Sequence, residues 1–93
     1  MHARLSTYEG QAEELHTEFE AQTDALERID GFTAAYFGLS DSGKSFSLTL
    51  WESEEAVEAS AEIANQLRSE ATQAGAQILS VEHFEITTRA GDA

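Results

Sequence analysis

The sequence has no cysteine and no proline, and five basic residues stand against 18 acidic ones, for a formal net charge of −13. Without cysteine there is no disulfide framework, no thiolate metal site and no sulfur nucleophile. The bases Arg4, Arg28, Lys44, Arg68 and Arg89 come one at a time. Nucleic-acid binding needs clustered Lys and Arg to displace counterions from phosphates, so no nucleic-acid partner is expected. The same scarcity argues against an anionic membrane surface. No apolar run approaches the roughly 20 residues of a spanning helix, and the first residues lack the apolar stretch of a leader segment. The expectation is a cytoplasmic protein without a membrane partner. The 93 residues fit one domain. A chain this short buries a limited share of its surface, which favours a partner subunit covering one face.

What is present is regular patterning. Residues 2–9 carry Leu5 and Tyr8 in a short mixed segment that reads as a strand. From Gln11 to Ile29, Ala12, Leu15, Phe19, Leu26 and Ile29 fall three or four apart, interrupted by polar Gln22, and place one apolar stripe on a helix. Asp30-Gly31 ends that helix, because glycine takes the left-handed conformation at little cost. Phe32–Leu39 and Ser45–Trp51 read as strands, joined by the turn residues Ser40-Asp41-Ser42-Gly43-Lys44. Ser53 is placed to cap a second helix, with Glu54 and Glu55 against the positive end of its dipole. The stripe Val57, Ser60, Ala64, Leu67 and Ala71 carries this helix to Gly75, and Ile78–Thr87 resumes strand character. Residues 2–88 are read as a single domain and 89–93 as a loose tail.

The order is β-α-β-β-α-β, an α+β ferredoxin-like protomer with both helices on one face of a four-stranded antiparallel sheet. Leu5, Tyr8 and Glu9 recur 43 residues later as Leu48, Trp51 and Glu52, an echo that fits this two-fold plan. On the third strand, the apolar set Phe46, Leu48 and Leu50 is expected to meet the helices. That turns Ser45, Ser47, Thr49 and Trp51 toward the uncovered side. A Trp among small hydroxyls on an open face suggests a second subunit covering a hollow, and hence a homodimer paired through its sheets.

The run Gly31-Phe32, the hairpin, Leu48-Thr49-Leu50-Trp51-Glu52-Ser53-Glu54-Glu55-Ala56 and the closing Ser80-Val81-Glu82-His83-Phe84-Glu85-Ile86 resemble the antibiotic biosynthesis monooxygenase-like family. The likeness runs from about Arg4 to Ile86. It implies a dimeric α/β barrel with any ligand held between sheet and helices or inside the barrel. It also implies, as an expectation, cofactor-independent oxygenation of a small aromatic or quinone-like compound. The haem-degrading branch of that family carries an iron-ligating His on its second helix, where this chain has a position near Ala61, and an Asn on the first strand, where this chain reads Ala3-Arg4-Leu5-Ser6. Only the Trp is shared with that branch, so no cofactor is expected.

Candidate site residues follow from side-chain chemistry. Trp51 can line a pocket or anchor an interface. His83, with Val81 and Glu85 on its side of the strand, is the candidate catalytic base, against the plainer reading of a polar residue at a sheet edge. Tyr36 can donate to a quinone-like oxygen, Arg4 can hold a carboxylate or enolate, and Ser47 and Thr49 complete the pocket candidates. His2, His16 and His83 are spread too far apart for a metal signature. The competing readings are a non-catalytic dimeric barrel that binds a small molecule, a stress or regulatory assembly, and a structural homodimer with a filled interior.

Overall fold

The computed structural model describes residues 1–91. The elements are β1 (His2–Glu9), α1 (Ala12–Glu27), β2 (Phe32–Leu39), β3 (Lys44–Trp51), α2 (Glu54–Ala59), α3 (Ala61–Gln73) and β4 (Gln77–Glu85). The sheet runs β2-β3-β1-β4 with every neighbouring pair antiparallel. This is the ferredoxin-like arrangement read from the sequence, with the tail residues 92 and 93 lying outside the described region. No helix among the described residues is long and apolar enough to cross a membrane.

Local chemistry accounts for the boundaries. Gly31, at φ 89°, follows α1, and a Cβ there would sit 2.7 Å from the Cβ of Ala56. Only glycine meets both demands, and its carbonyl accepts a 2.8 Å bond from Glu52 N–H that ties the start of β2 to the end of β3. In the hairpin, Gly43 takes φ 82° and Ser40 Oγ accepts from Lys44 N–H at 3.1 Å. Ser53 caps α2 by accepting from Ala56 N–H at 3.2 Å.

The second helix departs from expectation at one residue. Instead of running unbroken to Gly75, it is interrupted at Ser60, which separates α2 from α3. Ser60 Oγ donates to Val57 O at 2.6 Å and accepts from Arg4 Nη1 at 2.8 Å. A serine that bonds back to the carbonyl three residues earlier competes with the helical ladder, and a guanidinium bound at the same place draws that carbonyl outward.

The cross-strand register shows which residues share a face. One face carries the rows His83–Arg4–Thr49–Ala35, Val81–Ser6–Ser47–Phe37 and Ile78–Tyr8–Ser45–Leu39. The other carries Phe84–Ala3–Leu50–Ala34 and Glu82–Leu5–Leu48–Tyr36. The helices cover the first face, and Ser45, Ser47, Thr49 and Trp51 are all buried there. The face assignment drawn from the sequence is therefore reversed: Phe46, Leu48 and Leu50 lie on the uncovered side, where Phe46 is 37% exposed. Of the buried hydroxyls, Thr49 Oγ1 accepts from the Trp51 indole and Ser47 Oγ lies beside the Tyr8 hydroxyl, whereas Ser45 Oγ has no partner; the larger apolar set is left outward.

Candidate ligand-binding cleft

The helix-covered face holds two separate packed clusters. One joins Tyr8, Leu15, Ala71 and Ala76, with Phe37 and Ile78 against it. The other joins Leu26, Trp51, Ala56 and Val57, with Ile29, Phe32, Ala35 and Ile63 around it. Between them, the two central strands present the short side chains Ser6, Ser47 and Thr49, with Arg4 beside them bonded to the α2–α3 junction. Side chains this short cannot reach the helices, so the space above them stays unfilled. The result is a cleft lined by Arg4, Ser6, Tyr8, Ser47 and Thr49 from the sheet, Phe19, Gln22 and Leu26 from α1, and Ile63, Ala64, Leu67 and Arg68 from α3. It contains about 380 Å³ of atom-free space counted to its mouth, with about 30 Å³ open to the centre of a water molecule. It is thus a tight, largely apolar slot with polar groups at its sheet side, and a ligand must displace rim side chains to fill it.

Several of these polar groups are held by neighbouring side chains or backbone. Arg4 Nη1 donates to Ser60 Oγ at 2.8 Å and Nη2 to Val57 O at 2.9 Å, so its guanidinium is clamped at the junction of α2 and α3. Burial, and after it the nearby charge of Arg68, hold the Arg4 guanidinium below its ordinary value. Arg68 Nη2 donates to Asn65 Oδ1, while its Nη1 is buried with no hydrogen-bond partner. Tyr8 is buried with its hydroxyl 3.5 Å from Ser47 Oγ. Trp51 Nε1 donates to Thr49 Oγ1 at 2.9 Å, and the ring meets Phe32 edge to face at 5.4 Å between centroids. Trp51 is fully buried and belongs to the packing beneath the cleft rather than to its lining.

The cleft therefore brings together three of the six residues singled out in the sequence, Arg4, Ser47 and Thr49, and supports one more from below, Trp51. The remaining two lie elsewhere. Tyr36 is on the uncovered face, beside Leu50 and Ala34 in a shallow, open hollow with about 700 Å³ of atom-free space, larger than the cleft on the same count. His83 neighbours Arg4 across the strands but is exposed at the β4 edge, where its Nε2 meets His2 Nδ1 at 3.0 Å. It does not line the cleft. His16 stacks on Phe37 at 5.6 Å and pairs with Glu20 at 2.6 Å, on the helix surface.

Ser6, Tyr8, Gln22 and Arg68 also line the cleft, beyond the sequence candidates, and the sequence carries a signal for three of them. Ser6 and Tyr8 follow Arg4 at the strand period of two. Arg68 follows Ala64 by four and lies next to Leu67, at the margin of the helical stripe. Among the described residues no group of three or more His, Asp or Glu side chains converges as metal ligands would. The cleft lining contains no His, Met or carboxylate. Its one conventional iron donor, the Tyr8 hydroxyl, is turned to Ser47. The residues present therefore do not fit a haem.

The fold, with a tight slot between an antiparallel sheet and the helices that cover it, defines a ferredoxin-like α+β protein. Residues 1–64 match the family model for antibiotic biosynthesis monooxygenases, and the chain belongs to that family. A comparison with curated protein sequences found no match. Among solved structures, a Deinococcus radiodurans protein ascribed to the antibiotic biosynthesis monooxygenases superposes with a TM-score of 0.82 at 15% identity, covering 100% of this chain and 99% of its own. SnoaB, a cofactor-independent oxygenase from Streptomyces nogalater, gives 0.71 at 12% identity, covering 97% and 94%. MhuD, a heme-degrader from Mycobacterium tuberculosis seen with two hemes in its active site, gives 0.68 at 23% identity, covering 98% and 100%. At these identities the likeness establishes the fold alone.

Proposed function

We propose that this protein is a homodimeric, cofactor-independent monooxygenase acting on a small aromatic or quinone-like compound in the cleft between sheet and helices. The observation that carries the reading is Arg4, its guanidinium clamped by Ser60 and Val57, in the lining of a largely apolar slot. A half-buried cation fixed in place stabilises negative charge as it develops on a bound substrate, and does so more strongly than the same group in water. The comparison with SnoaB supports oxygenation without a cofactor.

The chemistry requires an activated methylene flanked by aromatic rings or carbonyls. Loss of one proton gives an enolate or carbanion whose charge Arg4 stabilises. The carbanion supplies the electrons to dioxygen, a carbon–oxygen bond forms, and the resulting peroxide loses water as its O–O bond breaks. In sum, one methylene and one dioxygen give one ketone carbonyl and one water, with the substrate as its own reductant. Because the lining holds no carboxylate or imidazole, the proton leaves to solvent from a substrate whose acidity Arg4 has increased. Ser6, Thr49 and the Tyr8–Ser47 pair orient the substrate's oxygen substituents. The same lack of a base favours, as a second reading, a protein that binds such a compound without turning it over.

The uncovered face supports the dimer. Leu5, Leu48, Leu50, Phe84 and Tyr36 lie in adjoining rows across the sheet, with Phe46 beside them over Gly38. An apolar face of this extent is more than a monomer ordinarily exposes, and a two-fold partner would bury it against its own copy.

The test is oxygen consumption with 1,8-dihydroxyanthrone, whose methylene becomes the quinone carbonyl. Uptake well above the spontaneous rate, with quinone as product, is expected, and Arg4→Gln is expected to lower kcat roughly 100-fold. Unchanged uptake over the spontaneous rate, with the probe nonetheless bound, would replace catalysis by binding alone.

A further inference from the structure

We infer that the cleft selects aromatic compounds that already carry a carboxylate, and that Arg68 is the residue that recognises it. This rests on the reading of the cleft as the ligand site but not on its catalysing a reaction. The chain has five basic residues in all, and two of them, Arg4 and Arg68, meet at the same apolar slot. In a protein with 18 acidic residues, nearly every structural guanidinium could be given a carboxylate partner, yet neither of these has one among the described residues.

The two are bound differently. Arg4 spends its donors on Ser60 Oγ and Val57 O, so the protein has fixed its position. Arg68 makes one hydrogen bond, to Asn65 on its own helix, and leaves Nη1 buried and unpartnered. A buried donor without an acceptor is costly, and the cost is removed when an acceptor arrives. The acceptor that fits a guanidinium is a planar oxyanion, which can take two parallel N–H bonds.

Two adjacent cations are more than an enolate requires. A single delocalised charge is served by Arg4. A second, permanent negative charge on the ligand would answer Arg68, and would also relieve the repulsion between the two guanidiniums. The ligand class is therefore an aromatic or polycyclic carboxylate: a ring system against Phe19, Leu26, Ile63 and Leu67, a standing charge at Arg68, and any developing charge at Arg4.

The experiment compares two probes of one shape, 2-naphthoate and its neutral analogue 2-naphthamide, titrated into the wild-type protein by calorimetry, with no turnover needed. Wild type is expected to bind naphthoate about tenfold or more tightly. Arg68→Gln should erase that preference while leaving naphthamide binding in place, and Arg68→Lys should restore part of it. Amide chemical shifts of Ser6, Thr49 and Ala64 should move with either probe. Equal affinity for the two probes, a preference that survives Arg68→Gln, or no binding of either would overturn the inference. Naphthoate preference without anthrone-dependent oxygen uptake would leave it standing while removing catalysis. Uptake without preference would do the reverse.

Discussion

The two faces of the sheet are built on opposite principles. The face beneath the helices, where a continuous apolar core would be expected, has Ser6, Ser47 and Thr49 at its centre, all buried. The face left open carries the larger apolar set, with Tyr36 at 48% and Phe84 at 42% exposure. Packing alone would place these the other way round, since burying Leu or Phe contributes roughly 1.5–3 kcal/mol each and burying a hydroxyl contributes nothing unless it is bonded. The covered face has given up packing at its middle and keeps it at its two ends, around Tyr8 and Trp51. What it gains is a slot with clamped polar groups. The open face keeps the apolar area, which a second copy of the chain would remove from water.

That contrast can be broken from either side. Removing the end of the covered face should matter most: Trp51→Ala deletes a fully buried ring that packs on Leu26, Ala56 and Val57, and should cost about 3–5 kcal/mol, read as a collapse of the thermal transition. A variant as stable as wild type would mean that the cluster repacks without its anchor. On the open face, Leu48→Asp leaves the cleft untouched and should raise the dimer dissociation constant roughly 100-fold, measured by analytical ultracentrifugation. If the variant still sediments as a dimer, the sheet face is not the interface; if wild type is already a monomer, the barrel is wrong.

The smallest effect lies away from both faces, on the helices. Glu18 on α1 faces Glu70 on α3, and the hydrogen bond that a protonated Glu18 carboxyl can give Glu70, followed by the charge of Glu70, raises Glu18 above its ordinary value of 4.5. A carboxyl raised by folding takes up a proton on folding. Its favourable contribution is therefore present at low pH and is lost as pH rises through the raised value. Glu18→Gln should accordingly give a small rise in Tm at pH 7 that shrinks toward pH 4.5. A gain independent of pH would point to helix propensity rather than to the carboxyl pair.

Much of this architecture was legible in the chain. The spacing of Leu15, Phe19 and Leu26 marks α1, Ser53 caps α2 as its position suggests, and Gly43 sits in the hairpin turn with the expected positive φ. The alternation in β3 correctly divides Phe46, Leu48 and Leu50 from Ser45, Ser47, Thr49 and Trp51. It did not tell which set the helices cover. A hollow beside Trp51 and the small hydroxyls was also anticipated, but as a space under a second subunit rather than under the protein's own helices. Among the site candidates, Arg4, Ser47 and Thr49 meet in one cleft, whereas Tyr36 lies across the sheet and His83 at its edge.

Local periodicity and turn and cap chemistry act within a few residues, and for that reason the chain alone specifies the elements, their order and the residues that share a side of each strand. Which side is covered and which bases meet depend on how the elements dock. Arg4 and Arg68 are 64 positions apart, and only the docking of α3 beside α1 and against β4 brings both to one slot. Period-two alternation cannot fix that choice when both faces offer residues able to be buried, one against the helices and the other against a neighbour.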